Sequence, residues 1–349
     1  DVGTGTVDAV ASAAPVASQP PSGPRPVFDS WWGSNCSVAS EGVDGCDGDF
    51  LAPRDVAVNS AGQIYVVEGD NDRVQRFDND GNFQMKWGTN GNGNGEFDRP
   101  AGVAVDASGN VYVVEFYNHR IQKFDSDGVF INKWGSLGSG DYEFQYPVAV
   151  TVNSAGNVYV SDWVNNRVMR YTHFGVYLGE WGSFCDTSVD GVDGCDGDFY
   201  GPYGLAVDSS FNVYVADSQN NRIQKFNSIG SSLLAKWGEH CEVETSGVDA
   251  CDGDFNYPFG VAVDAAGNVF VSDKNNYRIQ KFDSDGNFLE KWGTYGSDPG
   301  EFGSAYGLEF DPWGYLFIAD GSFDRVWKYA PPPLNFFVGE PEALASVRR

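Results

Sequence analysis

The sequence predicts an all-β chain folded as a six-bladed β-propeller, each blade a four-stranded antiparallel sheet. Three observations carry this. A unit of four short runs rich in Val, Ile, Tyr and Phe recurs along the chain. Its third run, Arg222-Ile223-Gln224-Lys225-Phe226 in one copy, begins at Arg73, Arg120, Arg167, Arg222, Arg278 and Arg325, at intervals of 47 to 56 residues. Within the unit, apolar and small residues alternate, as in Val103-Ala104-Val105, and Gly, Asn and Asp separate the runs. That is the pattern of strands joined by tight turns. No 3.6-residue periodicity of any length competes with it.

The elements of a unit follow in order. The first strand starts after a proline and reads P-x-G-V-A-V-D. The second reads G-N-V-Y-V and ends on an acid. The third begins on the repeat arginine. An Asp-Gly turn leads to the fourth, which ends in Trp-Gly at Trp32, Trp87, Trp134, Trp181, Trp237 and Trp292. The first of these tryptophans precedes any complete unit. The last unit ends at Tyr329 and runs into Ala330-Pro331-Pro332-Pro333 without a Trp-Gly. Proline cannot donate to a ladder. Val27–Trp32 is therefore expected to supply the outer strand of the sixth blade and close the ring, with Leu334–Val338 the alternative for that place. Residues 27–330 form the propeller, residues 1–26 a Pro-rich arm or linker, and residues 331–349 a C-terminal tail.

This pattern resembles the NHL-repeat family of six-bladed propellers over about residues 27–330. The match is most specific at Pro258-Phe259-Gly260-Val261-Ala262-Val263-Asp264 and Asn220-Asn221-Arg222-Ile223-Gln224-Lys225-Phe226. The chain departs from the pattern at Asp55 and Ala149, which replace the usual Gly, and at Ala305, which replaces the usual Pro. Propellers of this kind include a lyase acting on peptidyl-hydroxyglycine, with zinc held by histidines of several blades. Here only His119, His173 and His240 are present. They fall in turns and connections on different faces, so such a zinc site is not expected.

Forty-nine acidic against 22 basic residues give a net charge of −27. That excludes nucleic acid and anionic lipid as partners, and no apolar run is long enough for membrane insertion. Six cysteines stand as Cys36/Cys46, Cys185/Cys195 and Cys241/Cys251 with one repeated spacing, which favours three local disulfides. Disulfides place the protein in an oxidising compartment, extracellular or at the cell surface.

An acid precedes each repeat arginine by five residues: Glu68, Glu115, Asp162, Asp217, Asp273 and Asp320. Six cross-strand ion pairs are expected, bracketing the turns between second and third strands. These turns share a face with the long blade-to-blade connections and the cysteine loops. On that loop face the least repetitive side chains are Arg54, Phe116, Tyr117, Trp163, Tyr203, Phe259, Tyr277, Tyr306 and Phe323, the candidate binding residues. The cysteine loops also concentrate acids: Asp44, Asp47 and Asp49; Asp193, Asp196 and Asp198; Asp249, Asp252 and Asp254. Oxygen-rich loops suit Ca2+, whereas Asp-Gly is also ordinary turn chemistry, and both readings stand. No catalytic residue is assigned. The expected function is that of an extracellular, non-enzymatic structural or interaction scaffold, a homo-oligomer or filament assembling through its arms and loop face. A protein- or glycan-binding propeller is the alternative, and a metal-dependent lyase or lactonase-like enzyme the third reading.

Overall fold

The computed structural model describes residues 25–38, 46–190, 194–243 and 251–332. Residues 1–24 of the expected arm, Leu334–Val338, Asp44, Asp193 and Asp249 lie outside the described residues.

The described chain forms six four-stranded antiparallel sheets around a central channel. The innermost strands are β2 (Pro53–Val58), β6 (Pro100–Val105), β10 (Pro147–Val152), β14 (Pro202–Val207), β18 (Pro258–Val263) and β22 (Ala305–Phe310). Each of the first five is followed outward by three more strands in chain order. In the sixth sheet β22 is followed by β23 (Leu316–Asp320) and β24 (Arg325–Ala330). The outermost place there belongs to β1 (Val27–Trp32), which runs antiparallel to β24 with Val27 opposite Ala330 and Trp32 opposite Val326. The ring is thus closed by the N-terminal strand, as the lack of a Trp-Gly at the end of the sixth unit implies.

Second and third strands are buried almost throughout, because each is covered by a blade on either side. The apolar core is accordingly divided into clusters between neighbouring blades. Ala104, Tyr112, Ile121, Val150, Val160 and Tyr171 share one such cluster across the second and third blades. The strand-four tryptophans seal these seams. Trp87 packs on Phe124 of the next blade at 5.8 Å between ring centroids, and Trp32 on Phe77 at the same distance. The following Asp-Gly turn must be glycine at this contact. At Gly128, with φ of +74°, a Cβ would lie 2.8 Å from the Trp87 ring. Any side chain there would clash as well as adopt a left-handed backbone.

Candidate functional site

The loop face is built by the acid and arginine of each repeat. The Arg222 guanidinium pairs with Asp217 at 2.7 Å, both buried, and equivalent pairs join Arg73 to Glu68, Arg120 to Glu115, Arg167 to Asp162 and Arg278 to Asp273. Its remaining N–H groups donate to the Cys195 and Asp198 carbonyls of the preceding connection. Asn220 bridges the same acid to the Cys185 carbonyl. A buried ion pair therefore acts as the peg on which a long surface loop hangs, and in the first repeat the Arg73 Nη1 is left without a hydrogen-bond partner.

The sixth pair is not formed, which corrects the expectation of six. Trp327 stands where four of the other repeats have Gln and the third has Met169, and its indole donates to Asp320 at 3.2 Å. Asp320 otherwise accepts from the backbone of Gly303 and Ser304. Arg325 instead lies over the Trp31 ring, 4.3 Å from its centroid, and donates to the Ser297 carbonyl.

The three expected disulfides are present, Cys36–Cys46, Cys185–Cys195 and Cys241–Cys251, with Cα atoms 5.5 to 5.6 Å apart. In the three connections without cysteines a glutamate takes over the bracing. Glu96, Glu143 and Glu301 fold back onto backbone N–H groups of their own loops. The described acids of the cysteine loops are spoken for in pairs. Asp47, Asp196 and Asp252 pair with Lys86, Lys236 and Lys291. Asp49 accepts from Ser34, Asp198 from Ser183 and Asp254 from the Glu239 N–H. Among the described residues, the ligand atoms of Cys185, Asp190 and Cys195 form the one group close enough for a metal, and both cysteines are in a disulfide.

The histidines stay apart. His119 Nδ1 accepts the N–H of Tyr146 at 3.1 Å, linking the second blade to the third. Burial lowers its pKa, in keeping with a neutral acceptor. Asp72, Asn166, Asn221 and Asp324 make the same link at other seams. His240 bridges to Phe255, and His173 lies beside Phe174 in a turn on the opposite face.

At the centre of the loop face the channel opens into an aromatic mouth. Two positions in each repeat furnish it: the residue after the strand-one proline and the residue after the strand-two acid. Except in the fifth repeat, where Phe259 meets Lys274, a large residue at one is matched by a small one at the other. Ala101 and Val148 accompany Phe116 and Trp163, whereas Arg54 and Tyr306 accompany Gly69 and Gly321. A Cβ at Gly321 would lie 2.5 Å from the Tyr306 ring, and one at Gly69 would lie 3.1 Å from the Arg54 side chain. The Tyr306 and Arg54 side chains therefore lie across the turns of their own blades. Tyr203 stacks on Phe259 at 3.8 Å, Phe259 meets Tyr306 at 5.3 Å, and Phe116 lies 6.1 Å from Trp163. Arg54, Phe116, Tyr117, Trp163, Tyr203 and Phe259 line a cavity of about 280 Å3, and Tyr306 continues it into the channel.

Seven of the nine candidate binding residues thus come together, and Tyr277 and Phe323 do not. Tyr277 sits at a left-handed turn position and packs on Tyr295, which also touches Phe323. The mouth also contains Arg99, Tyr257 and Lys274, which are not among the nine. Arg99 and Tyr257 immediately precede the strand-one proline with φ of 52° and 61°. The signal for them was a bulky residue before that proline, a position whose left-handed backbone aims the side chain inward.

Below the mouth the channel encloses about 190 Å3 and is lined mostly by Val and Ala side chains. Two acids interrupt it. Asp55, in the usual Gly position, accepts the Val103 N–H of the second blade and the Val56 N–H, both at 2.9 Å. Burial nevertheless pushes its carboxyl up to about 7. Glu309 stands where the other inner strands have Ala57, Ala104, Thr151, Ala206 and Ala262. Burial, reinforced by the charge of Asp55, pushes it up to about 8.

Fold and site together define a repeat propeller whose channel opens into an aromatic mouth. Comparison with known families matches the NHL repeat at residues 50–77, 97–124, 144–171, 199–226 and 255–282, and the chain belongs to the NHL-repeat propellers. The sixth blade, where the buried ion pair is lost, is not matched. NHL repeat-containing protein 3 of Homo sapiens is 30% identical over 155 residues, 43% of this chain and 41% of that protein. The chain thus spans about two fifths of the length of that relative. Peptidyl-glycine alpha-amidating monooxygenase A of Xenopus laevis is 30% identical over 145 residues, 40% of this chain and 15% of that protein. A gluconolactonase structure from Xanthomonas campestris superposes with a TM-score of 0.57 at 19% identity, covering 90% of this chain and 99% of that one. At that identity the likeness concerns the fold alone.

Proposed function

We propose that this chain is a protein-interaction propeller that receives a peptide segment of a partner in the aromatic mouth of its loop face. The observation that carries the reading is the run of contacting rings over the channel mouth, Phe116 with Trp163 and Tyr203 with Phe259 and Tyr306, around one cavity. Aromatic and arginine side chains in a pocket are the anchors on which protein interfaces concentrate their energy. NHL propellers generally mediate protein interactions, which agrees with this reading. The inner strands carry Tyr203, Phe259 and Tyr306, and turns braced by the buried pegs carry Phe116 and Trp163, so the surface is preorganised and little ordering entropy is lost on binding. The three disulfides support a secreted, extracellular setting.

A random-peptide display selection on the purified chain tests the proposal, each selected peptide being titrated against Phe116→Ala and Phe259→Ala. Peptides that lose about tenfold or more in affinity on variants that melt like the parent are expected, the loss typical of a buried aromatic anchor. No enrichment, or peptides indifferent to both substitutions, would count against the mouth.

A further inference from the structure

We infer that the mouth recognises a carboxylate of the bound peptide, gripped by Arg54 and Lys274, an inference that rests on the loop-face reading above. The chain has more than twice as many acids as bases. Its buried repeat arginines, apart from Arg325, are paired with carboxylates, as are Lys86, Lys236 and Lys291. Arg54 and Lys274 have no carboxylate at ion-pair distance among the described residues. They converge instead on one ring: the Arg54 guanidinium lies 4.9 Å and the Lys274 ammonium 5.6 Å from the centroid of Tyr306. Lys274 also lies 4.9 Å from the centroid of Phe259. The Arg54 Nε is buried without a hydrogen-bond partner.

Two like charges gathered around one aromatic ring repel each other, and in a chain this acidic a compensating side chain would be easy to place. Burial and the charge of Arg54 both lower the pKa of Lys274, the direction expected of a cation awaiting an anion. The rings give each cation a weak, non-competing surface to rest on. A carboxylate entering from the loop face would bond the guanidinium and the ammonium together, in charge-assisted bonds stronger than neutral ones. The adjoining cavity has room for an aromatic or large aliphatic side chain beside that carboxylate. The ligand class is therefore a peptide with a bulky apolar residue next to a carboxylate. That carboxylate is supplied either by a free C-terminus or by an Asp or Glu side chain.

The experiment is calorimetric titration of the full chain with three probes: acetyl-Gly-Phe with a free carboxylate, its C-terminal amide, and acetyl-Phe-Asp amide. One acidic probe or both should bind about tenfold or more tightly than the neutral amide, the factor expected of a single charge-assisted contact. Which acid wins identifies the source of the carboxylate. The preference should disappear in Arg54→Gln and in Lys274→Gln, each checked by thermal melting, and survive in Phe323→Ala, which lies outside the mouth. Equal binding of all three probes overturns the carboxylate inference and leaves the loop-face reading standing. A preference that survives both charge removals overturns it too. If no probe binds, the inference fails, and the display selection alone decides the loop-face reading.

Discussion

Replacing Glu309 by Gln should make the propeller more stable at neutral pH and change little under acid. In the folded chain the carboxyl is pushed from 4.5 up to about 8, chiefly by burial. In the unfolded chain it ionises near 4.5. Between those values the native state holds a proton that the unfolded state has released, so wild-type stability falls as pH rises. At about 1.36 kcal/mol per pH unit, the loss from pH 4.5 to pH 7 is at most about 3 kcal/mol. Gln does not titrate and keeps the oxygen that accepts the Phe310 N–H. The difference between Glu309→Gln and wild type should therefore be near zero at pH 4.5. It should grow to several degrees in Tm by pH 8, at roughly 2 °C per kcal/mol for a domain of this size. Parallel calorimetric melts at half-unit steps across this range read it directly, and subtraction cancels the titrating groups that are not coupled to Glu309, as Asp55 is. A difference that stays constant with pH, or a variant less stable than wild type at pH 8, would refute the assignment of the burden to Glu309.

Two further outcomes follow from the loop-face pegs. Arg222→Ala should cost about 3–5 kcal/mol in urea unfolding, because it strands Asp217 in the interior, whereas Arg325→Ala, with no buried acid to strand, should cost about 1 kcal/mol or less; equal costs would show that the sixth blade is not an exception. Replacing Cys185 and Cys195 together by Ser should lower stability by roughly 2–3 kcal/mol, the loop-closure value for so short a ring, while the far-ultraviolet dichroism stays that of the parent, since Arg222 and Asn220 still hold both cysteine carbonyls; loss of the sheet spectrum would mean that the disulfide, not the ion pair, carries the loop.

Much of the scaffold was legible because it repeats. Trp-Gly at each strand end, glycine at the following turn and an acid five residues before an arginine are local patterns with single physical purposes. The ring closure was legible as an imbalance, one Trp-Gly too early and one missing. What the repeat pattern hid was its own exceptions. Asp320 and Arg325 keep the spacing of a pair, but Trp327 and Phe323 replace the amide-bearing residues of most other repeats, so the indole takes the acid instead. Asp55 and Glu309 differ from their equivalents by a single residue each, and only the closed channel makes those differences costly. Tyr277 and Phe323 are turn aromatics like Phe116 but stand four and three residues after their acids instead of one, and a left-handed turn and a neighbouring ring, Tyr295, hold them away from the axis.

The blade made from both chain ends also fixes how the molecule can be tethered. Val27 lies opposite Ala330, at the end of the sixth blade remote from Arg325 and the loop face. Any sequence joined before Val27 or after Ala330 therefore leaves the propeller side by side from the base, with the mouth turned away from the attachment. A pull on the two ends would peel β1 from β24 rung by rung instead of shearing all their hydrogen bonds at once. The ring should thus open at low force from its anchored side, while the other five blades remain folded.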